Sequence, residues 1–65
     1  MPYGFNAKWK SNKFDRCVAT VIEDLGEEVK ISIRHSDEHY ETIIVTKSYL
    51  NKNYTLVYMG FNKNK

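Results

Sequence analysis

The chain has 65 residues, 42% of them hydrophobic and 28% charged, with a formal net charge of +2. That length allows one small domain and leaves little room for an enclosed cavity of about 300 Å³ or more. No segment approaches the ~18 apolar residues of a membrane helix, and nine aromatic residues argue against disorder.

The opening segment, Tyr3 to Lys10, puts Tyr3, Phe5, Ala7 and Trp9 at odd positions, the period of a half-buried strand. Ser11-Asn12-Lys13 is a polar break. Phe14 to Ile22 reads as a second strand, apolar on both faces from Cys17 onward and therefore central. Glu23 to Glu27 is a turn in which Gly26 can take a positive φ. Val29, Ile31 and Ile33 then alternate with Lys30, Ser32 and Arg34, which makes an amphipathic third strand. His35 to His39 is a polar reversal, and Tyr40 to Thr46 a fourth strand. The segment 47–53 is too short for a stable isolated helix and reads as one 3₁₀ or α turn. Tyr54 to Phe61 is a fifth strand, and 62–65 a polar, frayed tail. The expected fold is all-β: a five-stranded antiparallel meander or small barrel, one domain over 1–65, with Val21, Ile31, Ile33, Ile44 and Leu56 packed together.

The order of features resembles an SH3-like small barrel of the Tudor or KOW kind. An aromatic-rich opening is followed by Cys17-Val18-Ala19-Thr20-Val21 as the "x-A-x-V" strand. A Gly turn comes next, then the alternating Val29-Ile31-Ile33 strand and a short turn ending in Leu50. The resemblance covers about residues 7–58 and implies a fold, not an activity.

Charge is distributed in blocks. Lys8, Lys10, Lys13 and Arg16 outnumber Asp15 in the first 22 residues, and Lys47, Lys52, Lys63 and Lys65 face no acid after residue 41. Between them lie Glu23, Asp24, Glu27, Glu28, Asp37, Glu38 and Glu41 against Lys30 and Arg34. Bipolar charge steers association with charged partners. The seven acids form one candidate partner-binding face. Lys8, Trp9, Lys10, Lys13, Arg16, Lys52 and Tyr54 form a second, suited to a protein or to nucleic acid, where cations meet phosphates and aromatics stack on bases. Against nucleic acid, the pI of about 8.7 is modest and the acids nearly balance the bases.

His35 and His39, near Asp37, Glu38 and Glu41, are metal-ligand types without a zinc signature, so they are read as loop residues and no metal is expected. A single cysteine, Cys17, rules out an internal disulfide and fits a reducing compartment. Its β-branched neighbourhood suggests a small core hydrophobe; a catalytic thiol would want an adjacent histidine, and the nearest in sequence is His35. The carboxylates fall in turns, where they stay solvated, and phosphate loop, nucleophile elbow and Ser/His/Asp constellation are all missing from the sequence, so neither enzymatic activity nor a cofactor is expected. The opening Met1-Pro2-Tyr3-Gly4-Phe5 lacks the apolar stretch of a secretory signal.

Phe, Tyr, Met, Ile, Asn and Lys, whose codons are AT-rich, make up 29 residues, while Gly, Ala, Arg and Pro make up 8. An AT-rich coding sequence this short is typical of phages and mobile elements. The expectation is therefore a small, non-enzymatic, phage-like effector in the cytoplasm of a bacterial host. It would dock on a larger cellular protein and inhibit or redirect it, using aromatic anchors. The alternative is a small nucleic-acid-binding barrel acting in transcription, translation or DNA handling. A homo-oligomer with aromatics buried between copies is a third possibility, and no membrane partner is expected.

Overall fold

Period-two patterning over most of the chain becomes five antiparallel strands and one short helix. The computed structural model describes residues 1–14, 16–36 and 38–61. The elements are β1 (Lys8–Ser11), β2 (Val18–Asp24), β3 (Glu28–Ser36), β4 (His39–Thr46), α1 (Lys47–Asn53) and β5 (Tyr54–Tyr58). They form one sheet in the order β4-β3-β2-β1-β5. The first four strands form a meander, and the fifth returns to the free side of β1 instead of extending it.

That order has a geometric consequence. The two edge strands are joined by α1 alone, whose seven residues span about 10 Å. Five flat strands would hold their outer edges about 19 Å apart, so the sheet has to curl. Three bulges assist the bending. Ile22 is the extra residue of β2 against β3, His35 that of β3 against β4, and Val57 that of β5 against β1.

The concave face encloses Ala7, Trp9, Ala19, Val21, Val29, Ile31, Ile33 and Leu50, with Tyr3, Ile43, Val45, Tyr54 and Leu56 packed against them. Leu50 is fully buried, so α1 is the plug that closes the curled sheet. The helix is fixed at its start by the Thr46 hydroxyl, which accepts the Tyr49 N–H at 3.1 Å. The backbone N–H of Lys47 also donates to the Glu27 carbonyl at 3.0 Å.

Most of the expected core is in place, with one correction. Ile44 is 52% exposed, and its neighbours Ile43 and Val45 face the core instead. In a run apolar at three successive positions parity is undetermined, and here pairing with β3 decides it. Ile43 and Val45 lie opposite the buried Ile31 and Val29, whereas Ile44 lies opposite Lys30.

The opening strand is shorter than expected. Asn6 adopts φ 70°, which interrupts the extended backbone, and Met1 to Phe5 form an arm that folds over β1. Within it the Trp9 Nε1–H donates to the Pro2 carbonyl at 2.8 Å, and Tyr3 stacks on Trp9 at 5.5 Å between ring centroids. Phe5 bridges to Phe61 through two backbone hydrogen bonds, at 2.8 and 3.1 Å, which clasps the arm to the chain after β5. The second strand also starts later than expected, at Val18, and just before it the Cys17 N–H donates to the Phe14 carbonyl at 3.0 Å. The expected frayed tail at 62–65 lies outside the described residues. Among the described residues no helix is long and apolar enough to cross a membrane.

Candidate binding surfaces

The seven acids read as one face are divided by β3. Glu23, Asp24, Glu27 and Glu28 surround the β2–β3 turn, whereas Glu38 and Glu41 lie at the β3–β4 end. Nine residues of strand separate the two groups by about 25–30 Å. Asp37 lies outside the described residues. At the first end Asp24 pairs with Lys47 at 2.7 Å and accepts the Gly26 N–H at 2.9 Å. The Lys47 ammonium, and then that amide, hold the Asp24 carboxyl below its ordinary value. Lys47 also lies 4.9 Å from the centre of the Tyr3 ring. This acid therefore anchors α1 and the N-terminal arm.

The basic and aromatic set is also redistributed. Trp9 is only 3% exposed, stacked and hydrogen-bonded within the core, so it offers no contact to a partner. The alternation that places Lys8 and Lys10 outside requires Trp9 inside. Tyr54 is half-buried beside β1, and desolvation, followed by Tyr49 and Cys17, raises its phenol above the ordinary 10.0. Lys13 and Arg16 belong to the β1–β2 loop and Lys52 to α1, all exposed.

Lys8 and Lys10 find other company on the convex face. Across the sheet the pairing aligns Tyr58, Lys8, Thr20, Ser32 and Thr42 in one row, and Thr55, Lys10, Val18, Arg34 and Tyr40 in the next. A third row brings Lys30 between Glu23 and Ile44. Four cations thus share the middle of this face with hydroxyls and two exposed tyrosines. Lys8 Nζ donates to Asn6 Oδ1 and Thr20 Oγ1, both at 3.1 Å. Lys30 and Arg34 were hidden in the sequence within a stretch acidic in sum; only strand pairing puts them on the same face as Lys8 and Lys10.

A different surface runs along β5. Val57, Tyr58, Met59 and Phe61 are each more than half exposed, as is Met1, whose ammonium donates to the Gly60 carbonyl at 3.3 Å. The outer edge of β5 pairs with no strand among the described residues. In the sequence these residues read as the second half of a fifth strand, with no face assigned. The Val57 bulge and the clasp on Phe5 turn them outward.

Cys17 is half-buried and lies outside the core, contrary to its reading as a core hydrophobe. The β3 bulge brings His35 toward it, with Nδ1 3.9 Å from the sulfur. On its other side His35 Nε2 lies 3.3 Å from Glu41 Oε1. The His39 ring is 5.4 Å from that of His35 and tilted by 55°. Among the described residues no three His, Cys, Asp or Glu side chains are grouped to hold a metal ion. Comparison of the chain with protein-family models, with curated proteins and with solved structures finds no match.

Proposed function

We propose that this chain is a small binding protein that acts by occupancy, docking on a larger protein and blocking or redirecting it. The observation that carries this reading is the β5 edge. Val57, Tyr58, Met59 and Phe61 are all more than half exposed beside a strand edge left open among the described residues. An open edge offers backbone donors and acceptors to an added strand, and adjacent apolar side chains supply specificity. Aromatic and Met side chains are enriched at interfaces, whereas an unprotected apolar edge on a free monomer invites aggregation. The other edge, β4, interrupts its exposed Tyr40 and Ile44 with the exposed His39, Glu41 and Thr42, whereas Val57, Tyr58 and Met59 are consecutive, so β5 is the more adhesive of the two. The fold is read as an SH3-like small barrel, a reading supported by five strands in the expected order and a short helix carrying Leu50 between the last two.

Affinity capture from a nuclease-treated bacterial lysate, comparing the wild type with a Val57→Asn/Met59→Gln variant, tests the reading. Both changes conserve charge and fall on exposed positions. The wild type is expected to retain a protein partner after nuclease treatment and the variant to lose it, with both circular dichroism spectra unchanged. Capture that disappears with nuclease, or that ignores the edge substitutions, overturns the proposal. The first of these outcomes would favour nucleic-acid binding, for which the specific support is Lys8, Lys10, Lys30 and Arg34 with Tyr40 and Tyr58 on the convex face.

A further inference from the structure

The geometry points to a thiol-exchange site formed by Cys17, His35 and Glu41, at which Cys17 forms a mixed disulfide with a low-molecular-weight disulfide. The three side chains come from different parts of the chain: the residue before β2, the bulge of β3, and β4. Bulges re-aim side chains. Here the extra residue is the imidazole itself, placed between a sulfur 3.9 Å away and a carboxylate 3.3 Å away. A nucleophile, a base within reach of it and a third group orienting the base are the parts of an activated nucleophile. In the tautomer that carries its proton on Nε2, the imidazole donates to Glu41 and turns the Nδ1 lone pair toward the thiol.

The surroundings select the chemistry. His35 and Glu41 are 40% and 57% exposed in their side chains, so the site lies open. Thiol–disulfide exchange requires only a thiolate, an acceptor for its proton and free approach to the disulfide; acyl transfer would also need a fixed oxyanion cradle. The charged and titratable groups next to this site are His35 against the sulfur, Glu41 and His39 against His35, Arg16 and Arg34 as chain neighbours of Cys17 and His35, and the Tyr54 phenol, whose proton Cys17 helps to hold. In the exchange the Cys17 S–H proton passes to His35 Nδ1 as the sulfur attacks one sulfur of R–S–S–R. The Cys17–S–S–R bond forms, the original S–S bond breaks, and the departing R–S⁻ takes the proton from His35 as R–SH. The Cys17 sulfur is oxidised and the leaving sulfur is reduced, with no further reactant.

The test is the rate at which the folded protein takes up oxidised glutathione in excess, followed by mass spectrometry across a pH series. The wild type is expected to react about tenfold or more faster near neutral pH than His35→Gln, and its pH profile to contain a limb that the variant lacks. Glu41→Gln is expected to slow the reaction a few-fold, and His39→Gln, whose ring lies near that of His35 but takes no part in the proposed proton transfer, to leave it unchanged. Should His35→Gln fail to fold by circular dichroism, the exposed Glu41→Gln variant and the wild-type rate relative to the urea-unfolded chain decide the matter. Equal rates in folded and unfolded wild type, an unchanged rate in His35→Gln or Glu41→Gln, or an equal loss in His39→Gln would each overturn the proposal.

Discussion

A methyl group added at Gly60 would run into the backbone carbonyl of Gly4, and one added at Gly4 would come within 2.8 Å of the Phe61 nitrogen. Two strands of backbone cross there with no room for a side chain, and this crossing allows the Phe5–Phe61 bridge to form. Gly60→Ala is therefore expected to destabilise the fold by about 1–3 kcal/mol, the usual cost of overpacking. The check is a lowered thermal midpoint together with faster hydrogen exchange at the Phe5 and Phe61 amides; an unchanged midpoint would show that the clasp yields freely. Gly26 is constrained differently, by its φ of 96° in open space. At Asp24 the issue is charge. Lys47 first, and the Gly26 amide second, hold its carboxyl below the ordinary 3.8. The folded protein thus binds that proton less tightly than the unfolded chain. The resulting stabilisation is present above the ordinary carboxylate value and is lost as pH falls through the lowered one. Asp24→Asn should accordingly lower the melting temperature near neutral pH, and the gap from wild type should close as pH drops below about 4. Because the pair is largely solvated, the gap should be small. A gap that stays constant with pH would show that the side chain acts only through its turn geometry.

Among the elements, α1 carries the largest single consequence. It is only seven residues long and buries one side chain completely, Leu50. A helix this short has negligible stability alone, so its packing under the curled sheet holds it in place. Leu50→Ala should cost about 2–5 kcal/mol, comparable to the whole net stability of about 3–5 kcal/mol expected for so small a domain. The variant is expected to be largely unfolded at 37 °C by circular dichroism, whereas Ile44→Ala, on the exposed side of β4, should shift the midpoint by only a few degrees. Comparable midpoints for the two variants would refute this assignment of faces. How much of the architecture was legible in the sequence follows from the same considerations. The pattern of β3 could be read directly, because Val29, Ile31 and Ile33 face the core while Lys30, Ser32 and Arg34 do not, and one buried face determines parity. The Ile43-Ile44-Val45 run contains no such contrast, so its facing depends on register with β3. The left-handed Asn6 that shortens the first strand, and the bulges at Ile22, His35 and Val57, are set by pairing between distant segments. For that reason the proximity of Cys17 to His35, eighteen residues apart, and the placing of Lys30 and Arg34 on one face with Lys8 and Lys10 could not be read from local patterning. The turn at Gly26 was legible, and so was a helical turn before β5, though packing of Leu50 extends that turn to a seven-residue helix.

For the whole molecule, curling the sheet separates three surfaces that are interleaved in sequence. Cations with hydroxyls and tyrosines occupy the convex middle, carboxylates collect at the two ends of β3, and exposed apolar side chains follow the β5 edge. A protein partner held at the β5 edge and a nucleic acid held on the convex face would respond differently to charge. Glu27 and Glu28 sit at the β2–β3 turn, away from both surfaces but close enough to the convex face to act through the field of the molecule. Changing both to Lys raises the net charge by four, and over a Debye length of about 8 Å at physiological salt this influence is attenuated but not abolished. If nucleic acid is the ligand, that reversal should strengthen binding, because it removes repulsion, while Lys8→Glu/Lys10→Glu should weaken binding and flatten its dependence on salt through lost counterion release. If a protein docks on β5, the Val57→Asn/Met59→Gln variant should lose the partner, while Glu27→Lys/Glu28→Lys changes mainly the rate of association. The expectation is that random single-stranded DNA and RNA show no appreciable affinity at ~150 mM salt by fluorescence anisotropy. Salt-sensitive binding at micromolar concentration or tighter, strengthened by the Glu27 and Glu28 reversals and indifferent to the β5 substitutions, would transfer the function from the strand edge to the convex face.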